Sequence, residues 1–507
     1  MPAKMGMIAP DRGTFAAAYD AGTPQILWTE AVADTDTPVS AMLKLGRAKS
    51  GSFLLESVEG GTVRGRYSML GFDPDLAFRA EGQQCWINRR FGEDKDAWTA
   101  AEGDPLAVLR DLVAGSRMDV PEVLPPAFST LVGHIGYESI GLVEPVPPAA
   151  GEGLALPDMM FVRPSLLLVF DRLRDALFIA APVYPSHLTA EEARERAVER
   201  IETAQSQLAG PLKDRTHVSD LPDGTLSANV APERYAEMVA AAKEYIFAGD
   251  IFQVVLAQRF SMDFPLPPLE LYRALRRINP SPFLYMLDMP DFALVGSSPE
   301  ILVRVRDGEV TVRPIAGTRP RGKNAAEDAD NRESLLADPK ERSEHLMLLD
   351  LGRNDVGRVA ARGSVAVTER ETIEFYSHVM HIVSNVRGDL APGHDAIDAL
   401  MAGFPAGTVS GAPKVRAMQV IAELEPERRG AYAGGVGYFS PAGDMDSCIV
   451  LRTAVIKDGR MHVQAGAGIV ADSDPASEQR ECEAKAGALV AAAREALRRA
   501  ADTGFGQ

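Results

Sequence analysis

Cysteine is scarce in this chain: three in 507 residues, at Cys85, Cys448 and Cys482. Three thiols build no disulfide framework, and so few of them fit a reducing compartment; the cytoplasm is the expected location. Long apolar runs are also missing. The stretch from Met1 to Met7 has no apolar core of signal-peptide length, and runs such as Leu166 to Phe170 are far too short to span a bilayer. Positive charge is in deficit, with 53 Lys and Arg against 71 Asp and Glu and a formal net charge of −18. That balance argues against a nucleic-acid or anionic-membrane surface. It leaves room for an anionic small molecule, because a local arginine cluster or a metal ion can invert the field. There is no short repeat and no low-complexity tract.

What is present is globular: 46% hydrophobic and 24% charged residues. A chain this long exceeds one simple core, so two large domains are expected. Residues 1–210 hold short β-type runs punctuated by Gly and Pro, such as Phe53-Leu54-Leu55, Leu131 to Tyr137 and Ser165 to Asp171. They end in a charged helix from about Thr189 to Leu208. Residues 211–231 are polar and aperiodic, and read as a linker. From 232 a second region runs to about 490. Pro232 opens a helix that stops at Gly249, and a strand follows from Ile251 to Phe260. Ile301 to Ile315 reads as a hairpin turning at Asp307-Gly308. Residues 491–507 read as a helix end and a short tail. The expected class is α+β, with large mixed or antiparallel sheets packed against helices.

Two pairs of glutamates stand out. Glu341 and Glu344 lie in Asp338-Pro339-Lys340-Glu341-Arg342-Ser343-Glu344, and Glu478 and Glu481 in Asp474-Pro475-Ala476-Ser477-Glu478-Gln479-Arg480-Glu481. Both stretches read as helices, on which i and i+3 share a face. If the two faces meet, four carboxylates converge, and only a cation can keep them ionised and partly buried. Hard oxygen donors with room for water suit Mg²⁺. On spacing alone solvated helix faces are the favoured reading, since an acidic chain holds on the order of ten such pairs by chance.

The surrounding motifs carry a resemblance. Gly249-Asp250-Ile251-Phe252-Gln253, Gly296-Ser297-Ser298-Pro299-Glu300, Pro314-Ile315-Ala316-Gly317-Thr318-Arg319, Val379-Met380-His381, Phe404-Pro405-Ala406-Gly407-Thr408, Gly434-Gly435-Val436-Gly437-Tyr438 and Gln464-Ala465-Gly466-Ala467-Gly468 follow one another in order. In this the chain resembles the large (component I) subunits of anthranilate synthase, within the chorismate-utilising enzymes. The resemblance implies Mg²⁺ held by Glu344 and Glu481, with Glu341 and Glu478 as an outer, water-bridged shell. It implies Arg452 and Tyr432 on the pyruvyl carboxylate of chorismate, with backbone near Gly466, Ala467 and Gly468 beside it. Gly317 and Thr318 are implied substrate contacts, and Thr408 a polar wall of the pocket. Glu300 is the candidate general acid and His381 the catalytic histidine. Lys485 lies on the face of Glu478 and either neutralises the acidic cluster or touches the ring carboxylate.

Two positions sort the sister activities. Water-adding relatives carry a lysine base where this chain has Gln253. Aminodeoxychorismate synthases typically carry a lysine nucleophile in place of Ala316. Gln253 and Ala316 together point to anthranilate, with aminodeoxychorismate synthase component I as the alternative. A catalytically inactive tryptophan-binding regulator is the alternative of another class. No cysteine sits on a Gly-flanked glutaminase elbow, so ammonia is expected from a separate glutaminase (component II) subunit in a hetero-oligomer. Leu54-Leu55-Glu56-Ser57 and Asn279 to Tyr285 match the segments that form a tryptophan inhibitor site in relatives, with Ser57 on the amino-acid head group and Pro282, Phe283 and Leu284 as wall. Leucine at 284 replaces the methionine of some relatives.

Overall fold

The computed structural model describes residues 6–46, 50–59, 63–126, 128–212, 222, 224–376 and 379–501. His378, most of the expected linker and the expected tail at 502–507 lie outside the described residues. Among those described, two 12-stranded sheets carry the fold, and every strand pairing within them is antiparallel. Helices pack against both, so the class is α+β.

Local chemistry sets the elements. Ile301–Arg306 and Glu309–Val312 form the expected hairpin. Its turn residues Asp307 and Gly308 have φ of 50° and 75°, the left-handed pair that a two-residue I′ turn requires. The helix Pro232–Phe247 starts on its proline, as expected. The strand after it begins at Gln253 instead of Ile251, because the Asp250 amide still bonds back to Tyr245 and closes the helix. The helix Pro339–Gly357 opens with Asp338, whose carboxylate accepts from the amides of Lys340 and Glu341. The two helical stretches read near the end of the chain are one helix, Pro475–Ala501.

The boundary at 211–231 does not separate the sheets. In the first sheet, Ser52–Glu59 pairs with Phe283–Asp288, and Thr453–Lys457 and Arg460–Ile469 lie beyond. In the second, Leu131–Ile135 pairs with Gly435–Phe439. Each sheet therefore takes strands from both sides of the boundary. Pro475–Ala501 packs on Arg460–Ile469 of the first sheet, and Pro339–Gly357 packs on Ile315–Pro320 and Val379–Asp389 of the second. The two glutamate pairs thus ride on different sheets. No helix among the described residues is long and apolar enough to cross a membrane.

One buried polar knot ties the early strand to the later region. Glu56, on Ser52–Glu59, accepts both Nε (2.5 Å) and Nη2 (2.9 Å) of Arg276 and the hydroxyl of Tyr272 (2.5 Å). Arg276 and Tyr272 belong to the helix Pro268–Ile278. Both charged side chains are nearly dry, so removing one strands the other. Arg276→Met is expected to lower unfolding stability by about 3–5 kcal/mol, read as a lower urea midpoint; an unchanged midpoint contradicts this role.

Candidate active site

The two glutamate pairs lie within electrostatic reach of each other through Glu344 and Glu481. Burial raises the pKa of Glu344; Gln253, whose Nε2 lies 3.4 Å from its carboxylate, opposes the shift, and the carboxylates of Glu341 and Glu481 reinforce it. Glu478 is likewise raised by burial first, with Glu481 adding to the effect and Ser473 and Lys485 opposing it. Yet each acid has its own partner. Glu341 binds Nη1 of Arg319 at 2.9 Å, and Glu481 binds Nζ of Lys485 at 2.7 Å. Among the described residues no three His, Cys, Asp or Glu side chains gather tightly enough to grip a metal as they stand. The donor chemistry nonetheless fits Mg²⁺: hard carboxylate oxygens from two helices, two of them, Glu344 and Glu478, held toward their neutral forms by burial and then by neighbouring carboxylates, which a divalent ion would relieve. Lys485 also donates to the Gly466 carbonyl at 2.9 Å. It therefore stands between the acidic face and the glycine strand and neutralises Glu481.

Glu300 lies at the start of the hairpin and is 6% exposed. Burial pushes its pKa up to about 8, against the opposing hydrogen bond from the Thr408 hydroxyl, at 3.2 and 3.3 Å from its two oxygens. It is therefore chiefly a neutral acid at pH 7, a proton donor. His381, on Val379–Asp389, is 7% exposed, and burial lowers its pKa to about 4. Its Nδ1 lies 3.0 Å from the Gly317 carbonyl and 3.1 Å from Thr318 Oγ1. A carbonyl can only accept, so Nδ1 carries the hydrogen and Nε2 keeps the lone pair. The ring of Tyr376 meets His381 edge-on at 5.2 Å. Gly317 itself has φ of 66°, and a Cβ there would come 3.2 Å from Glu341.

Arg452 is held with φ of 47°. Burial lowers its pKa, with Tyr376 and Glu300 opposing. Among the described residues its guanidinium has no hydrogen-bond or ion-pair partner, so a half-buried cation stands open to an anion. Gly466, Ala467 and Gly468 register against Ala257, Leu256 and Val255. A Cβ on Gly466 would fall 2.9 Å from the Tyr432 hydroxyl, and one on Gly468 2.6 Å from Gln253 Nε2. Gly466, which also faces the Leu256 carbonyl at 3.0 Å, is favoured by close approach, and both glycines bring backbone to the same space as Tyr432 and Gln253. Away from this cleft, Ser57 registers opposite Phe283, so the two segments expected to form an inhibitor site are adjacent strands. Ser57 is exposed, Pro282 and Phe283 are half-buried, and Leu284 is buried.

A sequence model for chorismate binding enzymes matches residues 51–491. The chain belongs to the chorismate-binding enzyme family. It is 52% identical to "Anthranilate synthase component 1" of Cereibacter sphaeroides over 95% of this chain and 97% of that one. It is 36% identical to the crystal structure of anthranilate synthase component I from Streptococcus pneumoniae, with a TM-score of 0.74 over 91% of this chain and 99% of that one. The menaquinone-specific isochorismate synthase of Escherichia coli shares the fold, at 20% identity and a TM-score of 0.70 over 95% of this chain and 100% of that one.

Within this chorismate-binding fold, three site neighbours escaped the sequence reading. Tyr376 touches His381, Arg319 pairs with Glu341, and Arg429 stacks on Tyr432 with its charge on Glu425. Glu425 and Arg429 stand four apart in a run already dense in charge, Glu423-Leu424-Glu425-Pro426-Glu427-Arg428-Arg429, which hides them. Tyr376 has no signal beyond its closeness to His381.

The raised pKa of Glu300 has a pH signature. Between the unfolded value near 4.5 and the folded value near 8, the native state holds a proton that the unfolded state has lost. Stability therefore falls as pH rises through that window. Glu300→Gln removes this term, so the variant is expected to gain a few kcal/mol on the parent between pH 5 and pH 8 (order of magnitude). Urea midpoints of the pair across that range check it; a constant difference rules it out.

Proposed function

We propose that this protein is the large subunit of an anthranilate synthase, converting chorismate and ammonia to anthranilate and pyruvate in tryptophan biosynthesis. The observation that carries the reading is one pair of groups: the guanidinium of Arg452, without a hydrogen-bond or ion-pair partner among the described residues, close to the neutral acid Glu300. It suits a substrate that brings a carboxylate and must lose a hydroxyl. The names of the relatives agree with it, and Gln253 and Ala316 separate it from hydration and from covalent capture by lysine.

Arg452 and the Tyr432 hydroxyl take the pyruvyl carboxylate, with the backbone of Gly466 to Gly468 alongside. Glu344 and Glu481 would hold Mg²⁺, with Glu341 and Glu478 around it. When bound, the ion supplies positive charge for the ring carboxylate, which otherwise meets four acids. Glu300 gives its proton to the C4 hydroxyl, which leaves as water while ammonia adds at C2. Thr408 holds Glu300 in place. His381, neutral and with Nε2 unprotonated, assists loss of the C2 proton. The C3–O bond to the enolpyruvyl group then breaks, the methylene carbon gains a proton, and pyruvate leaves. Ammonia comes from a separate glutaminase subunit, and the assembly works in the cytoplasm. Tryptophan inhibits by settling between Ser57 and the Pro282 to Leu284 segment.

With chorismate and ammonium at alkaline pH, the purified chain is expected to form fluorescent anthranilate and equimolar pyruvate, and EDTA to stop it. Glu344→Ala or Glu481→Ala should reduce turnover by at least about 10²-fold. An aminodeoxychorismate product without pyruvate rejects the reading, and full EDTA-sensitive activity in either variant rejects the metal assignment.

Ser57→Arg fills the head-group position without touching the cleft. Turnover should be retained, while the tryptophan concentration for half-inhibition rises by about tenfold or more. An unaltered inhibition curve refutes the regulatory site.

A further inference from the structure

The strand Gln253–Asp263 has Arg460–Ile469 along one edge from Val254 to Asp263. Its other edge is only patched. Gly411–Ala412 pairs with residues 253 and 254, and Ser227–Ala228 pairs with 260 and 261. Between these patches the backbone needs other partners. Val255 donates to the Ser410 carbonyl. The Val255 carbonyl accepts from Arg429 Nη2 at 2.7 Å, and the Ala257 amide donates to Glu425 at 2.8 Å. An ion pair thus completes the open edge.

Val255 and Ala257 are the residues in register with Gly468 and Gly466. The same guanidinium donates through Nη1 to the Val409 carbonyl at 2.8 Å, one residue from the Thr408 that holds Glu300. It closes on Glu425 through Nε at 2.9 Å and Nη2 at 2.6 Å. Its flat face lies 4.8 Å from the Tyr137 ring and 5.4 Å from the Tyr432 ring. Both charged side chains are almost wholly buried, at 1% and 2% exposure. A buried pair persists only with its hydrogen-bonding capacity well used, so its geometry is rigid and is passed to everything it touches.

We propose that Arg429, clamped by Glu425, is the positioning residue of the substrate site: it fixes the Gly466–Gly468 backbone, the Tyr432 ring and the Thr408 turn relative to one another. It touches none of the reacting atoms. The role rests on the functional reading given above. A mere stability role would change how much enzyme is folded. A positioning role changes how the folded enzyme binds and titrates.

The double variant Arg429→Met with Glu425→Met removes both charges at similar volume, an exchange that buried pairs often tolerate. Chorismate kinetics are measured across pH on the parent, on this variant and on Arg429→Lys, which keeps the charge and loses the planar fork. In the folded double variant, KM for chorismate is expected to rise about tenfold or more. The upper pH limb set by Glu300 should move to higher pH, because the Thr408 hydrogen bond that restrains its pKa loosens. Arg429→Lys should show both shifts in smaller degree. Neither readout depends on the fraction of molecules folded. Parental KM and pH limb in the folded double variant overturn the proposal. If that variant does not fold, the same two readouts in Arg429→Lys decide, and parental values there overturn it. A parent that does not turn over chorismate rejects the functional reading, and this role with it.

Discussion

Glu341, Glu344, Glu478 and Glu481 ride on two helices that rest on different sheets, yet Glu481 of one helix adds to the burial that holds Glu344 of the other toward its neutral form. That repulsion is the constraint on which the cleft depends. Pro339–Gly357 and Pro475–Ala501 can approach only because something offsets it. In the protein alone the offset is local and divided: Arg319 takes Glu341, Lys485 takes Glu481, and an amide rather than a cation faces Glu344. The arrangement is compact but short of positive charge at its centre. A chain with a net charge of −18 can still present an attractive site to a dianion, because the sign of a cleft is set by what lies within a few ångströms and not by the total.

The opposite wall works by dryness. The same loss of water pushes Glu300 toward its neutral form, His381 toward its neutral form and Arg452 toward losing its charge. For the first two, neutrality is useful: an acid that keeps its proton and a ring with a free nitrogen coexist at one pH. For Arg452 the effect is a demand, since a guanidinium stays charged and must find an anion. Thr408 and the Gly317 carbonyl then trim the first two values through single hydrogen bonds. Neighbouring groups with pKa values driven apart mark a site for proton transfer more strongly than any one of them does.

Much of the local architecture was legible in the sequence because local rules decide it. Asp307-Gly308 dictates its turn, Pro232 and Asp338-Pro339 start their helices, and the three-residue spacing puts each glutamate pair on one face. The long-range pairings were not legible. Nothing in Leu54-Leu55-Glu56-Ser57 says that it will lie beside Phe283-Leu284-Tyr285, since any half-buried strand would satisfy the same alternation. The division at 211–231 follows composition, whereas the sheets follow pairing energy and cross it. In the candidate site, motif residues could be named from the sequence and their partners could not. Lys485 was seen, but its bonds to Glu481 and Gly466 come from the packing of a helix on a strand. Arg429 was missed because a charged run ordinarily faces water, and here a gap in a strand edge draws two of its members, Glu425 and Arg429, inward.

The interleaving of the sheets bears on synthesis. Ser52–Glu59 leaves the ribosome roughly two hundred residues before Phe283–Asp288, the neighbour that covers its edge. At about 5–20 residues per second, that is a delay of roughly 10–40 s. For that interval the apolar run Phe53-Leu54-Leu55 lacks the strand that covers it, and an uncovered β-edge is open to pairing with other chains. The first sheet is thus completed only after strands from the far side of the chain have been made.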